Sequence, residues 1–201
     1  MATAWAHAAC RKMKSNPLHI LRTLDNYLVH PFSLYIYGRS ALALGFPDAP
    51  AGYHATMDVD AILPAGDILA IDANEDFWQA QAKTNETLDS AGLYFTHLFE
   101  DRQVILTSDW LKRVVILEIS GLKHLRLWRP STEDLILTKM MRIDPQDRED
   151  IEFLLRQKDY SIAVLHESLD QAQIPPVTEI ENAFAANREW LLACIEKIGN
   201  S

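Results

Sequence analysis

The sequence predicts a mixed α/β or α+β fold, with a sheet-bearing part over residues 1–130 and a helical part over 131–201 packed on it. Two observations carry this. Short runs rich in β-branched and aromatic residues alternate with helical periodicities as far as Pro130, and beyond Pro130 only helical patterns follow. The chain has 201 residues, 48% hydrophobic and 23% charged, values of an ordinary globular protein with room for a real core.

The elements follow in order. Leu18, Leu21, Leu24 and Leu28 recur at helical spacing, so the first 30 residues read as helix. Leu34–Tyr37 is a short β-rich run ending at Gly38 and reads as a buried strand. Ser40–Gly45 suits a short helix that Gly45 stops, and Phe46–Tyr53, with two prolines, a glycine and an aspartate, is loop. Met57–Leu63 is a second strand, ended by Pro64–Asp67. Residues 76–91 read as helix, closed by Gly92. Leu93–Phe99 and Gln103–Leu106 read as a hairpin around Glu100 and Asp101. Val114–Ile119 and Leu125–Trp128 read as two further strands with a turn at Gly121. Helices are expected near 132–142, 146–157, 160–171 and 178–198. The first has Ser131 and Asp134 at capping-box spacing.

Charge narrows the partners. The formal net charge is −9, which opposes binding along duplex DNA. The basic residues are scattered, with small groups at Arg11–Lys14 and Lys123–Arg129, so a nucleotide, a protein or a locally held RNA end is expected instead. Two cysteines, Cys10 and Cys194, give no disulfide framework and fit a reducing cytoplasm. The N-terminus does not read as a secretory signal, and no stretch is apolar over a bilayer's thickness. The seven histidines do not pair at zinc spacing, and there is no Gly-x-Ser-x-Gly elbow.

Three places carry candidate chemistry. Gly38-Arg39-Ser40 joins a strand to a helix. Glycine permits close backbone approach, and the helix start offers free N–H groups suited to phosphate, with Ser40 adding a hydroxyl. The same tripeptide also reads as a plain strand–turn–helix with Ser40 as the N-cap. Asp58 and Asp60 share one strand face, about 7 Å apart by strand rise, and two carboxylates so placed suit a hard cation. Lys139 stands in an apolar helix, and Asp147 and Asp150 share a face of the next one. A surface lysine and an acid-rich helix start are the plain reading of that third place.

Taken in order, Gly38-Arg-Ser-Ala-Leu42, Thr56-Met-Asp-Val-Asp60, Asp134-Leu-Ile-Leu-Thr-Lys139 and Asp147-Arg-Glu-Asp-Ile151 resemble the nucleotidyltransferase superfamily. The resemblance covers roughly residues 34–156. It is narrowest with small bacterial and archaeal nucleotidyltransferase-like domains of unknown function, related to toxins of toxin–antitoxin pairs. It implies a mixed sheet flanked by helices and transfer of NMP from an NTP to an acceptor hydroxyl, with an RNA, protein or antitoxin partner. It further implies that Gly38, Arg39 and Ser40 bind phosphates, that Asp58 and Asp60 hold Mg²⁺ in a site with room for two ions, and that Lys139 touches phosphate with Asp150 nearby. Glu118 is the candidate third metal carboxylate by position. Arg39 replaces the usual second glycine or serine, His54 stands where relatives often carry arginine, and the loop from Ser40 to Asp58 is longer than typical. Two other readings stay open: a nucleotidyltransferase fold used only to bind a partner, and a sugar-nucleotide transferase, where Asp-x-Asp also serves.

Overall fold

Helical periodicity at the N-terminus becomes helix α1, Asn16–Tyr27, which opens with Pro17 in its first turn and buries Ile20, Leu21 and Leu24. The computed structural model describes residues 15–157 and 159–199. The expected basic group Arg11–Lys14, Cys10 and the first part of the expected helix lie outside the described residues. Asp25 of α1 is buried and accepts the N–H groups of Lys123, His124 and Leu125, each at 2.8 Å.

Strand β1 is Phe32–Tyr37, followed directly by helix α2, Gly38–Gly45. Strand β2 is Asp58–Leu63, helices α3 and α4 are Ile68–Asp72 and Glu75–Leu88, and strand β3 is Tyr94–Glu100. Gly92 takes φ +63, the left-handed conformation its helix-closing position requires. Short strand β4, Leu106–Thr107, precedes β5, Val115–Leu117, and β6, Leu125–Arg129. Helices α5, Thr132–Thr138, α6, Pro145–Leu155, and α7, Ile162–Asp170, then lead through β7, Ala172–Gln173, to α8, Thr178–Gly199. The mixed α+β class expected from the sequence is the class observed.

The main sheet has the order β3-β2-β1-β6-β5. β1 runs antiparallel to β2 and parallel to β6. β2 and β3 are parallel, and β5 and β6 are antiparallel around Gly121 at φ +89. Alternation sorts the side chains. Leu34, Ile36, Val59, Ala61, Phe95 and Leu127 are buried on one face in a cluster that includes Leu21 and Leu24 of α1, Phe77 of α4 and Leu154 of α6. On the other face Tyr35 and Tyr37 pack with Ile62, Val104, Leu106 and Trp110.

Two expectations are corrected. Residues 93–99 and 103–106 form no hairpin. β3 adds in parallel to β2, and Asp101–Gln103 is a 3₁₀ turn closed by reciprocal capping between Glu100 and Gln103. The following chain turns beneath the sheet because Val104, Leu106 and Trp110 bury there, and β4 pairs with β7. The buried Asp134 carboxylate fixes that path by accepting the Thr107 N–H at 2.9 Å and its hydroxyl at 3.0 Å. Helix α5 also ends at Thr138, short of the expected 142, and Asp144 caps the start of α6. Gly45 does end α2, but its small size serves packing: a β-carbon there would lie 2.7 Å from the Arg129 side chain.

Candidate functional site

Where α2 leaves β1 and the α5–α6 connection crosses the end of β2, a cleft of about 620 Å³ opens. Gly38 stands at its rim with φ +65, a conformation that turns the chain sharply from strand into helix and that glycine tolerates best.

One wall is acidic. Asp58 and Asp60 project from the same face of β2, while Val59 and Ala61 are buried on the opposite face. Thr56 donates to Oδ1 of Asp58 at 3.0 Å, and Thr96 of β3 donates to Oδ1 of Asp60 at 2.8 Å. Beside it, Nδ1 of His97 lies 3.6 Å from the same oxygen. Both β3 residues reach Asp60 because the β2–β3 register shifts between Val59 and Ala61. Burial raises the proton affinity of Asp60. The Thr96 hydrogen bond opposes this and the charge of Asp58 adds to it, for a net upward shift. Among the described residues no arginine or lysine lies within ion-pair distance of either carboxylate.

The facing wall is cationic. Arg39, Lys139 and Arg142 all line the cleft, held in place by Asp147, which also lines it, and by Asp150 behind it. Asp150, without exposed surface, takes Lys139 Nζ at 2.6 Å and Arg39 through Nη2 at 3.0 Å and Nε at 3.1 Å. Asp147 takes Lys139 at 3.1 Å and also pairs with Arg142. The Arg39 guanidinium further lies over the Tyr53 ring, 5.0 Å from its centroid. Arg142 also lies 3.9 Å from Asp144, so three carboxylates balance the three cations of this wall.

A family model described as "Nucleotidyltransferase of unknown function (DUF6036)" matches residues 31–190. The chain belongs to that family. No curated protein and no solved structure shows a significant match to it. The family segment spans every element around the cleft, from β1 to α6.

Of the residues singled out in the sequence, Gly38, Arg39, Asp58, Asp60, Lys139 and Asp147 line this one cleft. Four others do not. Ser40 is buried, and its hydroxyl donates to the backbone carbonyl of Asp58 at 2.7 Å, so it ties α2 to β2 instead of capping α2 or facing a ligand. Asp150 lies behind the cations and positions them. Glu118 is exposed just past β5, with β6 and β1 between that strand and β2, and it does not join the cleft. His54, noted for its place in the family pattern, is half-buried with no hydrogen-bond partner on Nδ1 and stands off the cleft lining.

Four residues escaped sequence reasoning: Tyr37 and Arg142 in the cleft lining, and Thr96 and His97 beside Asp60. Arg142 follows Lys139 by three positions, a spacing that hints at two cations on one turn. His97 and Phe99 alternate on β3, but the bulge that brings Thr96 in beside them leaves no mark in the sequence.

The donor set on β2 fits a hard divalent cation that completes its shell from substrate. It offers two carboxylates and, among the described residues, no arginine or lysine paired with them. Among the described residues no group of three or more His, Cys, Asp and Glu converges closely enough to hold an ion alone. Magnesium is usually bound in this way, by one or two carboxylates plus phosphate oxygens.

Proposed function

We propose that the chain transfers a nucleoside monophosphate from an NTP to an acceptor hydroxyl, with Mg²⁺ held by Asp58 and Asp60. The observation that carries this is the pairing of walls: two carboxylates with no arginine or lysine partner among the described residues share one cleft with three cations. A triphosphate bridges such walls, since its charge suits the cations and its oxygens complete the coordination of a carboxylate-bound ion.

Each residue then has a task. Gly38 and the first N–H groups of α2 lie along the phosphate path. Lys139 serves as a point charge and Arg39 as a planar fork, both kept in position by Asp150. They favour the leaving pyrophosphate, whose charge grows as the bond to the α-phosphorus breaks and the acceptor oxygen bonds in line. Tyr37 and Phe99, edge to face with centroids 5.8 Å apart, give the cleft an apolar side for a base or an acceptor. A bound Mg²⁺ would neutralise the triphosphate and polarise the α-phosphorus.

The test is transfer of label from α-labelled NTP in Mg²⁺ to RNA, protein and small hydroxyl acceptors. Transfer that disappears in Asp58→Ala supports the reading, and the absence of labelled product across all three acceptor classes refutes it.

One observation favours a second reading, a fold kept for partner binding alone. Glu118 stands away from Asp58 and Asp60, and among the described residues no third carboxylate converges with them on a metal position. Under that reading Asp58→Ala leaves the biological effect intact, and substitutions on the exposed faces of α7 and α8, where an antitoxin or other protein would dock, abolish it.

A further inference from the structure

Resting on the reading that Asp58 and Asp60 hold a divalent ion, the geometry points to His97 as the third protein ligand. Its imidazole nitrogen occupies the place where Glu118 was expected to supply a carboxylate.

Strand position supports this. β3 is the direct neighbour of β2, and the register shift sets Thr96 and His97 together opposite Asp60. His97 lies beside Phe99, a residue of the cleft lining, with ring centroids 5.4 Å apart. Bulges recur beside active sites because they re-aim a side chain, and here the bulge aims two at one carboxylate.

The distance supports it as well. Thr96 already satisfies Oδ1 of Asp60 at 2.8 Å, so the histidine is not needed as a donor. Its Nδ1 stands 3.6 Å from that oxygen, too far for a hydrogen bond. Two ligands about 2.1 Å from one ion lie roughly 3.0–3.5 Å apart for angles between octahedral and tetrahedral. The observed spacing is nearly that of a ligand pair. The His97 side chain is 68% exposed, so its ring has room to turn. The three side chains do not yet converge as they stand, and the ion itself would draw the imidazole in.

An imidazole beside two carboxylates changes which ion is preferred. All-oxygen sites suit Mg²⁺, and a nitrogen donor favours first-row transition ions. The site is therefore assigned a preference for Mn²⁺ over Mg²⁺ that depends on His97.

The experiment loads the full chain with Mn²⁺ in the absence of nucleotide. Pulsed electron paramagnetic resonance reads ¹⁴N coupling to the ion, and competition titrations give Mn²⁺ and Mg²⁺ affinities for the wild type, His97→Ala and Asp58→Ala. The expected result is nitrogen coupling in the wild type that vanishes in His97→Ala. Mn²⁺ affinity should fall about tenfold in that variant while Mg²⁺ affinity changes less than about twofold. Because His97 is on the surface, the variant should keep the wild-type melting profile, which is checked alongside. Mn²⁺ bound without nitrogen coupling, or coupling unchanged in His97→Ala, overturns the assignment and leaves the carboxylate reading standing. Undiminished Mn²⁺ binding in Asp58→Ala, or no binding in the wild type, overturns both.

Discussion

Lys139 Nζ lies 2.6 Å from Oδ2 of Asp150, a carboxylate with no exposed surface. The contact fixes the reach of the lysine into the cleft, because Asp150 also grips Arg39 and cannot follow either partner outward.

Removing that carboxylate charge should therefore cost both fold and site. Asp150→Asn leaves Lys139 and Arg39 half-buried with less counter-charge, and breaking a buried pair from one side typically costs about 3–5 kcal/mol. Urea unfolding should show a loss of that size, together with weaker NTP binding in whatever folded fraction remains. Stability within about 1 kcal/mol of wild type would mean that Asp150 does not anchor the cations.

Asp60 should behave oppositely. Its folded-state proton affinity is raised above the ordinary value, so its charge opposes folding. That cost is absent below the ordinary carboxylate range and builds as pH rises through the raised value. Asp60→Asn should raise the stability of the metal-free protein at neutral pH by roughly 0.5–2 kcal/mol, while NTP transfer disappears. Calorimetry with chelator present checks the first part. A lower midpoint for the variant would contradict it.

Asp25 sets an acid limit. Burial alone would push its carboxyl up, but hydrogen bonds from the N–H groups of Leu125, Lys123 and His124 outweigh this and hold it below the ordinary value of 3.8. A depressed carboxylate contributes stability above its unfolded value and loses it as pH falls through the folded one. The wild type should thus weaken below about pH 4, as this carboxylate takes up its proton. Asp25→Asn should be less stable at pH 7 by about 1.5–3 kcal/mol and show a flatter acid arm. Chemical unfolding at a series of pH values separates the two curves, and parallel curves would rule out this role.

Gly45 and Arg129 should couple. A methyl group at residue 45 would meet Arg129 Cδ at 2.7 Å and Nε at 2.8 Å. The guanidinium is held against Phe46, 4.4 Å from its centroid, and by Asp159 at 2.7 Å. Gly45→Ala should cost about 1–3 kcal/mol. Combined with Arg129→Met it should cost less than the two single changes summed, which a double-mutant cycle measures. Strict additivity would show that the crowding is relieved elsewhere.

Local chemistry wrote much of this structure into the sequence. The alternation of Asp58, Val59, Asp60 and Ala61 placed both acids on one face, and Gly38, Gly92 and Gly121 marked the turns where positive φ is needed. Strand order was hidden, because no residue near Glu118 records that β6 and β1 would come between it and Asp58. The β4–β7 pairing joins two residues on each side across a long separation, too short a pattern to announce itself. Asp147 and Asp150 could be placed on a common helix face, but their spacing is the same whether that face meets water or Lys139.

The reach of Asp25 to amides 98–100 positions later sets an order of assembly. As the chain emerges from the ribosome, the first helix can coil by itself. The amides that hold the Asp25 carboxylate are not synthesised until the turn before β6 appears, so this tie closes late, after β2 and α4 have given the first helix a surface to pack on.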